Sequence, residues 1–189
     1  MSTGWILAAV AAVVVVYLIV VFNRLVRQRN VVREGWSGID VQLKRRTDLV
    51  PSLVETVKGY ASHERSLFEE IASRRSASVA ASDVSGQANA ERALSGSLGK
   101  LIAVAEGYPD LKANQNFLEL QTQLAEIEDN IQMARRYYNG AVRNLNISIQ
   151  SFPDVLVARP LGFREEPFFE LESRAEAAAP QIGFPGGKA

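Results

Sequence analysis

The chain of 189 residues carries 21 Lys plus Arg and 21 Asp plus Glu, which gives a formal net charge of +0. This length accommodates one folded domain and some additional segments, since a domain commonly contains roughly 100 to 200 residues. The balanced charge creates no overall field that would attract nucleic acid. Because the sequence contains no Cys, disulfides, thiolate nucleophiles and cysteine-ligated metals are excluded.

The N-terminal region contains an uninterrupted apolar stretch from Trp5 to Phe22, with no charged side chain before Arg24. As a helix this stretch would be about 27 Å long, close to the ~30 Å hydrocarbon core of a bilayer. A cleaved signal peptide is the alternative, but segment 1–4 has no basic residue and segment 23–27 is not a small-residue cleavage site. We therefore expect a retained transmembrane anchor over residues 1–23.

Four arginines follow the apolar stretch, whereas its N-terminal side offers only the α-amino group. The positive-inside rule therefore predicts a single-pass membrane protein with the N-terminus outside and the remaining chain in the cytoplasm. The same four side chains are candidate contacts for anionic lipid headgroups. They are Arg24, Arg27, Arg29 and Arg33.

A first helix of the folded body is predicted over 25–50, where apolar residues recur at steps of three, four and seven. No helix breaker separates this segment from the apolar stretch, so the pattern favours one continuous helix from the bilayer into the body. Gly35 and Gly38 flank Trp36. Because glycine is unfavourable inside a helix, this pair predicts a close approach to a neighbouring helix or a local bend.

Pro51 predicts the end of that helix and the first turn of a second helix over 51–77. The small and polar residues of 76–87 predict a flexible connection. A third helix is then expected to carry its apolar stripe over 94–108, and the segment 107–110 to reverse the chain.

The most regular segment of the sequence is 110–150, which we predict to be a long helix. Its apolar residues advance by alternating steps of three and four, as in helices that pack along one another. At 1.5 Å per residue this stripe is about 43 Å long. Its members are Phe117, Leu120, Leu124, Ile127, Ile131, Ala134, Tyr138, Ala141 and Leu145.

These elements predict an all-α protein in which the N-terminal transmembrane helix leads into an antiparallel bundle of about four long helices. Short connections favour antiparallel neighbours, and the bundle is expected over residues 24–150. Residues 151–174 contain prolines and aromatics and are interpreted as an irregular arm. The final segment, 175–189, is rich in Ala, Gly and Pro and is predicted to be disordered.

The search for catalytic motifs gives no credible site. His63 is the only histidine, and Leu67 stands where a zinc-peptidase helix motif needs a second histidine. The Gly99-Lys100 pair lacks the preceding glycine and the following hydroxyl residue of a phosphate-binding loop. We therefore expect no enzyme activity, no catalytic, cofactor-binding or metal site, and no small-molecule substrate.

Polar clusters and late aromatics are the remaining candidates for function. The polar residues can form ion pairs on the bundle surface, or they can contact a protein partner or a second copy of the chain. The aromatics of the arm can dock on the bundle or on a partner. The candidate partner-contact residues are Arg45, Arg46, Asp48, Arg135, Arg136, Phe163, Phe168 and Phe169.

Three blocks of the sequence carry a family pattern. They are WSGIDVQLKRRTDLVPSLVETVKGYASHE (36–64), AEGYPDLKANQNFLELQ (105–121) and RRYYNGAVRNLNISIQSFP (135–153). In this order they closely resemble the bacterial LemA family, from the anchor to about residue 169. The resemblance implies a protein anchored at its N-terminus whose body is an antiparallel bundle of long helices. The biochemical activity of that family is not established.

The sequence therefore favours a non-enzymatic scaffold or adaptor of the bacterial inner membrane, acting by protein contact and possible self-association. The alternative is a membrane-linked signalling or regulatory module, in which a continuous first helix transmits a change between membrane and bundle. Relatives are often encoded near a membrane-bound zinc metalloprotease. The resemblance thus makes such a protease a conceivable partner.

Overall fold

The computed structural model describes residues 3–170, which form six α-helices and no strand. The all-α class and the predicted helical bundle are confirmed, because four of these helices are long. The predicted tail, 175–189, and the last residues of the arm, 171–174, lie outside the described part. The helices are α1 (Thr3–Lys58), α2 (Arg65–Ala80), α3 (Val84–Glu106), α4 (Pro109–Lys112), α5 (Gln115–Gln150) and α6 (Val155–Ala158).

Helix α1 contains 56 residues and is therefore about 84 Å long. Its N-terminal part is long and apolar enough to cross a membrane, and the other described residues bury very little of it. Buried side chains begin at Val21 and recur along one face as far as Val57. The apolar stretch and the first bundle helix are thus one uninterrupted helix.

The predicted helix break at Pro51 is wrong, since α1 passes through this residue and ends at Lys58. Proline lacks the amide hydrogen that would bond to the carbonyl four residues earlier, which belongs to Thr47. Arg75 of α2 donates a hydrogen bond from Nε to that carbonyl oxygen over 2.7 Å. The helix tolerates the proline because a side chain from α2 replaces the missing backbone donor.

The predicted second helix is divided by a turn at 59–64. Leu53 and Val57 belong to α1, whereas Leu67 and Ile71 are buried on α2. Gly59, a poor helix former, directly follows the last residue of α1. The apolar stripe alone continued through this turn, so the sequence interpretation missed it.

The predicted flexible connection at 76–87 is also wrong, since only residues 81–83 separate α2 from α3. Alanine and serine at the end of α2 are compatible with a helix. Asp83 caps α3, because its side chain accepts a hydrogen bond from the backbone N–H of Gly86 over 2.9 Å. This local hydrogen bond fixes the start of α3.

Helix α5 contains 36 residues and confirms the long apolar stripe. It begins at Gln115, later than predicted, because 109–112 forms the separate short helix α4. The side chain of Asn114 caps α5 by accepting a hydrogen bond from the N–H of Phe117 over 3.1 Å. The buried members of the stripe are Phe117, Leu124, Ile131, Tyr138, Ala141 and Leu145.

Helices α1 and α5 pack against each other in antiparallel orientation, and α2 and α3 form a hairpin beside them. Two hydrophobic clusters result. The membrane-proximal core combines 21–43 of α1 with the second half of α5, α6 and the segment that follows. The distal core combines α1 from Val50 onward with α2, α3 and the first half of α5.

Candidate functional site

The arginines after the apolar stretch divide into two pairs. Arg24 forms an ion pair with Asp154, and the guanidinium of Arg29 lies 5.1 Å from the centre of the Phe163 ring. These two side chains therefore tie α1 to the segment after α5. The other two, Arg27 and Arg33, are exposed.

After α6 the chain runs without regular structure along α1 and α5, and we call residues 163–170 the C-terminal strap. Phe163 is 6% exposed and Phe169 is 0% exposed. Their assignment to an exposed partner-contact surface is therefore corrected, since both rings are buried against their own chain. Phe168 stays 40% exposed.

Two asparagines of α5 hold the backbone of the strap. Asn139 donates to the carbonyl of Phe169 over 3.1 Å and accepts from its N–H over 2.9 Å. Asn146 makes the same pair of bonds with Glu166, both at 2.9 Å. Seven residues separate the asparagines, which places them on one face of α5. This spacing is visible in the sequence, but two asparagines seven residues apart form no motif that predicts the contact with the strap.

Aromatic packing and one hydroxyl complete the attachment of the strap. The Trp36 ring lies 5.6 Å from Tyr138 and 5.7 Å from Phe169, measured between ring centres. The Tyr138 hydroxyl donates to the carbonyl of Pro167 over 2.9 Å. Burial, assisted by the negative charge of Glu166, raises the pKa of Tyr138 to about 12. The hydroxyl therefore stays protonated as a donor to the strap at neutral pH.

Arg46 is the second correction to the predicted partner surface, because its side chain is 0% exposed. Its guanidinium forms an ion pair with Glu91, which is equally buried. It also donates to Glu128 over 2.5 Å and to the Ser95 hydroxyl over 2.7 Å. Arg46 is therefore an internal cross-link and not a contact available to a partner.

Glu91 completes this buried network from α3. Besides Arg46, its carboxylate accepts hydrogen bonds from the Ser78 hydroxyl and, over 2.7 Å, from the Gln87 amide. The network joins α1, α2, α3 and α5 between the two hydrophobic cores. Glu91 stands three residues before Leu94, on the buried face of α3, and this spacing was its one sequence signal.

The predicted residues Arg45 and Asp48 lie together on an open side of the α1–α5 pair. They line a groove of about 460 Å³, and Arg27 lines a second one of about 360 Å³. Arg27 and Arg45 are five helical turns apart, so both depressions follow one face of α1. We call them together the outer groove, lined by Arg27, Val31, Arg45 and Asp48 of α1 and by Glu126, Asn130, Asn144 and Ile147 of α5.

The other residues considered in the sequence analysis lie on α5 and in the turn between α1 and α2. Arg135 is half-buried and Arg136 is exposed. His63 is exposed in the turn between α1 and α2. Within residues 3–170, no three His, Cys, Asp or Glu side chains are grouped so as to hold a metal ion.

The apolar N-terminal helix and the bundle that continues from it define the class of this molecule, a membrane-associated helical-bundle protein. The model of the LemA family matches residues 35–184, and the chain therefore belongs to the LemA family. The resemblance found in the sequence is thereby confirmed.

Curated relatives are similar along most of the chain. Magnetosome protein MamQ 2 of Paramagnetospirillum magneticum is 26% identical over 179 residues, which cover 81% of this chain and 66% of that protein. Magnetosome protein MamQ of Magnetospirillum gryphiswaldense is 25% identical over 193 residues, with coverages of 87% and 71%. Protein LemA of Metamycoplasma hominis is 28% identical over 149 residues, with coverages of 78% and 68%. The chain thus spans about two thirds of the length of these relatives, just under two thirds for the first.

Proposed function

We propose that this LemA-family protein is a single-pass scaffold or adaptor of the bacterial inner membrane, with its N-terminus outside and its bundle in the cytoplasm. It acts by protein contact, without catalysis or a cofactor. The observation that carries this proposal is the outer groove, two depressions on one side of the two longest helices. The LemA-family membership and the magnetosome and LemA relatives support membrane association.

The composition of this side of the α1–α5 pair suits a protein partner. Val41 (53% exposed) stands about one helical turn before Arg45, and Met133 (52%) and Tyr137 (53%) follow Asn130 by about one and two turns. This spacing places all three apolar side chains on the same side as the groove. Arg45, Asp48 and Glu126 supply charges of both signs within the groove. Apolar anchors surrounded by charges are typical of interfaces between proteins.

The proposal is tested by photo-crosslinking of the full-length protein in cells, with the probe at Arg45 or Asn130 in the groove. The matched control is a probe at Ala103, an exposed residue of α3. We expect one product of the same mass from both groove positions, its loss on Met133→Glu, and no product from Ala103. A self-adduct defines a homo-oligomeric scaffold and an adduct to one other protein defines an adaptor. Equal labelling at all three positions would contradict the proposal.

A regulatory module is the second candidate, and the unbroken course of α1 favours it. Residues 21–43 of this helix belong to the membrane-proximal core, so a change in tilt of the membrane segment would act on the packing with α5. Such a module could control a membrane protease. Because the chain has no native Cys, spin labels are readily introduced at Asn30 and Arg143. Distances that do not change between thin and thick bilayers would count against this candidate.

A further inference from the structure

The segment between α5 and the strap lies beside the membrane segment of α1. We call residues 151–162, which include α6, the C-terminal turn. The Tyr17 hydroxyl donates to Asp154 over 3.1 Å, and Arg24 forms an ion pair with the same carboxylate. Tyr17 belongs to the apolar stretch, about 7.5 Å along the helix axis from Phe22. The turn therefore stands level with the last part of the apolar stretch.

The side chains of the turn are arranged with apolar residues on both faces. Val157 (4% exposed) and Ala158 (0%) pack into the membrane-proximal core. On the outside, Phe152 is 80%, Leu156 65% and Leu161 54% exposed. Large apolar side chains exposed together in one short segment are typical of surfaces that contact a membrane or a protein.

We propose that the C-terminal turn is a second membrane contact, in which Phe152, Leu156 and Leu161 enter the lipid headgroup and upper acyl layer around α1. The occupant is lipid and not protein, because these side chains continue the apolar surface of the adjacent α1 segment. In that segment Val20 is 58% and Phe22 41% exposed. A bilayer that surrounds α1 at this level would also cover the turn.

The charged side chains around the C-terminal turn also suit a location at the lipid headgroups. Arg159 and Arg164 are exposed on either side of Leu161, and Arg27 is exposed on the neighbouring part of α1. Arginines next to inserted apolar residues attract anionic headgroups. Asp154, the acidic residue of the turn, is 8% exposed and bound to Arg24 and Tyr17, so it presents little negative charge to lipid.

This inference rests on α1 spanning the membrane, and the experiment separates the two claims. Single cysteines replace Leu156, Phe152, Val13 in the apolar stretch, or Val79 on α2, and each carries an environment-sensitive fluorophore. Val79 is 67% exposed, which matches Leu156, but it lies beside Lys44 and Asp48, about 40 Å along α1 from Tyr17. The full chain is reconstituted into vesicles whose lipids carry bromine at a shallow or a deep acyl position.

We expect labels at 156 and 152 to lose emission mainly with the shallow quencher, as lipid contact requires. The label at 13 should lose emission with the deep quencher, and the label at 79 with neither. If 156 and 152 behave like 79 while 13 is quenched, the turn contact is overturned and the membrane span stands. If 13 is also unquenched, both claims fail. Protection of 156 and 152 from both lipid bromine and aqueous iodide would show a protein cover and would likewise overturn the inference.

Discussion

Gly35 marks a close approach of α1 to α5. A Cβ added at this position would lie 3.0 Å from the Cα of Tyr138 and 3.2 Å from the ring of Tyr137. Gly38, one turn later on α1, has nothing within 4 Å of such a Cβ. Of the two structural readings of this glycine pair, the close approach therefore applies to Gly35, and Gly38 offers an internal control.

We expect Gly38→Ala to stabilise the protein by up to about 1 kcal/mol, since alanine is the better helix former. Gly35→Ala gains the same propensity but must displace the backbone of α5, so we expect it to be at least about 1 kcal/mol less stable than Gly38→Ala. Urea unfolding of both variants in detergent micelles measures this difference. Equal stabilities would show that α5 moves away at no cost.

Tyr138 predicts an alkaline weakening of the fold. Its pKa is about 12 in the folded chain against an ordinary value of 10.0, so the unfolded chain releases this proton at lower pH. Folding stability therefore falls as the pH rises from about 10 towards 12, and Tyr138 has no such effect below that window.

Unfolding free energies at pH 9 and pH 11 test this pH dependence. We expect the decline between them to be smaller in Tyr138→Phe than in the parent protein. Tyr137→Phe is the control, because its ring is 53% exposed, and it should decline as the parent does. The same decline in all three proteins would refute the assignment to Tyr138.

At the scale of elements, the pairing of Pro51 with Arg75 explains how α1 remains one helix. Removing Arg75 leaves the Thr47 carbonyl without either a backbone or a side-chain donor. We therefore expect Arg75→Ala to destabilise the protein by about 1 kcal/mol, the usual net contribution of a hydrogen bond, since this bond is only partly buried. The neighbouring Arg74→Ala, at an exposed position, should stay within about 0.5 kcal/mol.

A double-mutant cycle isolates this mechanism from other effects of the mutation. Pro51→Ala restores an N–H that can bond to the Thr47 carbonyl, so Arg75 is no longer its necessary donor. In that background Arg75→Ala should cost clearly less than in the parent, which gives a measurable coupling between the two sites. Additive effects would mean that Arg75 acts through contacts other than this carbonyl.

The bounds of some helices could be predicted from the sequence, and those of others could not. The stripe of α5 was predicted because it repeats over about eight turns, and a repeated apolar face is a local signal. The passage of α1 through Pro51 was not predictable from local rules, since its donor comes from another helix, 28 residues away from Thr47. The extent of α2 was misjudged because small polar residues suit both helices and loops.

The burial of the candidate site residues could not be predicted where it depends on contacts between residues far apart in the sequence. Arg45 and Asp48 are exposed, as expected for charged side chains on the surface of a bundle. Arg46 has the same local sequence setting as Arg45, but its side chain is buried because it forms an ion pair with Glu91. Glu91 is 45 residues away along the chain, so no local pattern indicates this pair. The sequence likewise left open whether the strap docks on its own bundle or on a partner. The asparagines that hold it lie on α5, 20 and 30 residues away.

At the scale of the whole molecule, the buried network at Arg46 connects the membrane-proximal core with the distal core. Its two carboxylates differ in setting. Glu91 has a side chain 0% exposed and three side-chain donors, whereas the Glu128 side chain is 35% exposed and receives one hydrogen bond from Arg46. This difference permits a matched pair of substitutions.

We expect Glu91→Gln to destabilise the protein by about 3 kcal/mol, because it leaves Arg46 buried without its main counter-charge. Whichever way its amide is turned, the NH₂ group also faces Arg46 or the donors Ser78 and Gln87. Glu128→Gln can keep its carbonyl towards Arg46 and turn its NH₂ to solvent, so its cost should stay below about 1 kcal/mol. Urea unfolding of the two variants measures both losses of stability. Hydrogen exchange, resolved by helix, shows which helices are destabilised. If Glu91 holds the four helices together, exchange rises in both cores at once, whereas an increase confined to α3 would reduce the network to a local contact.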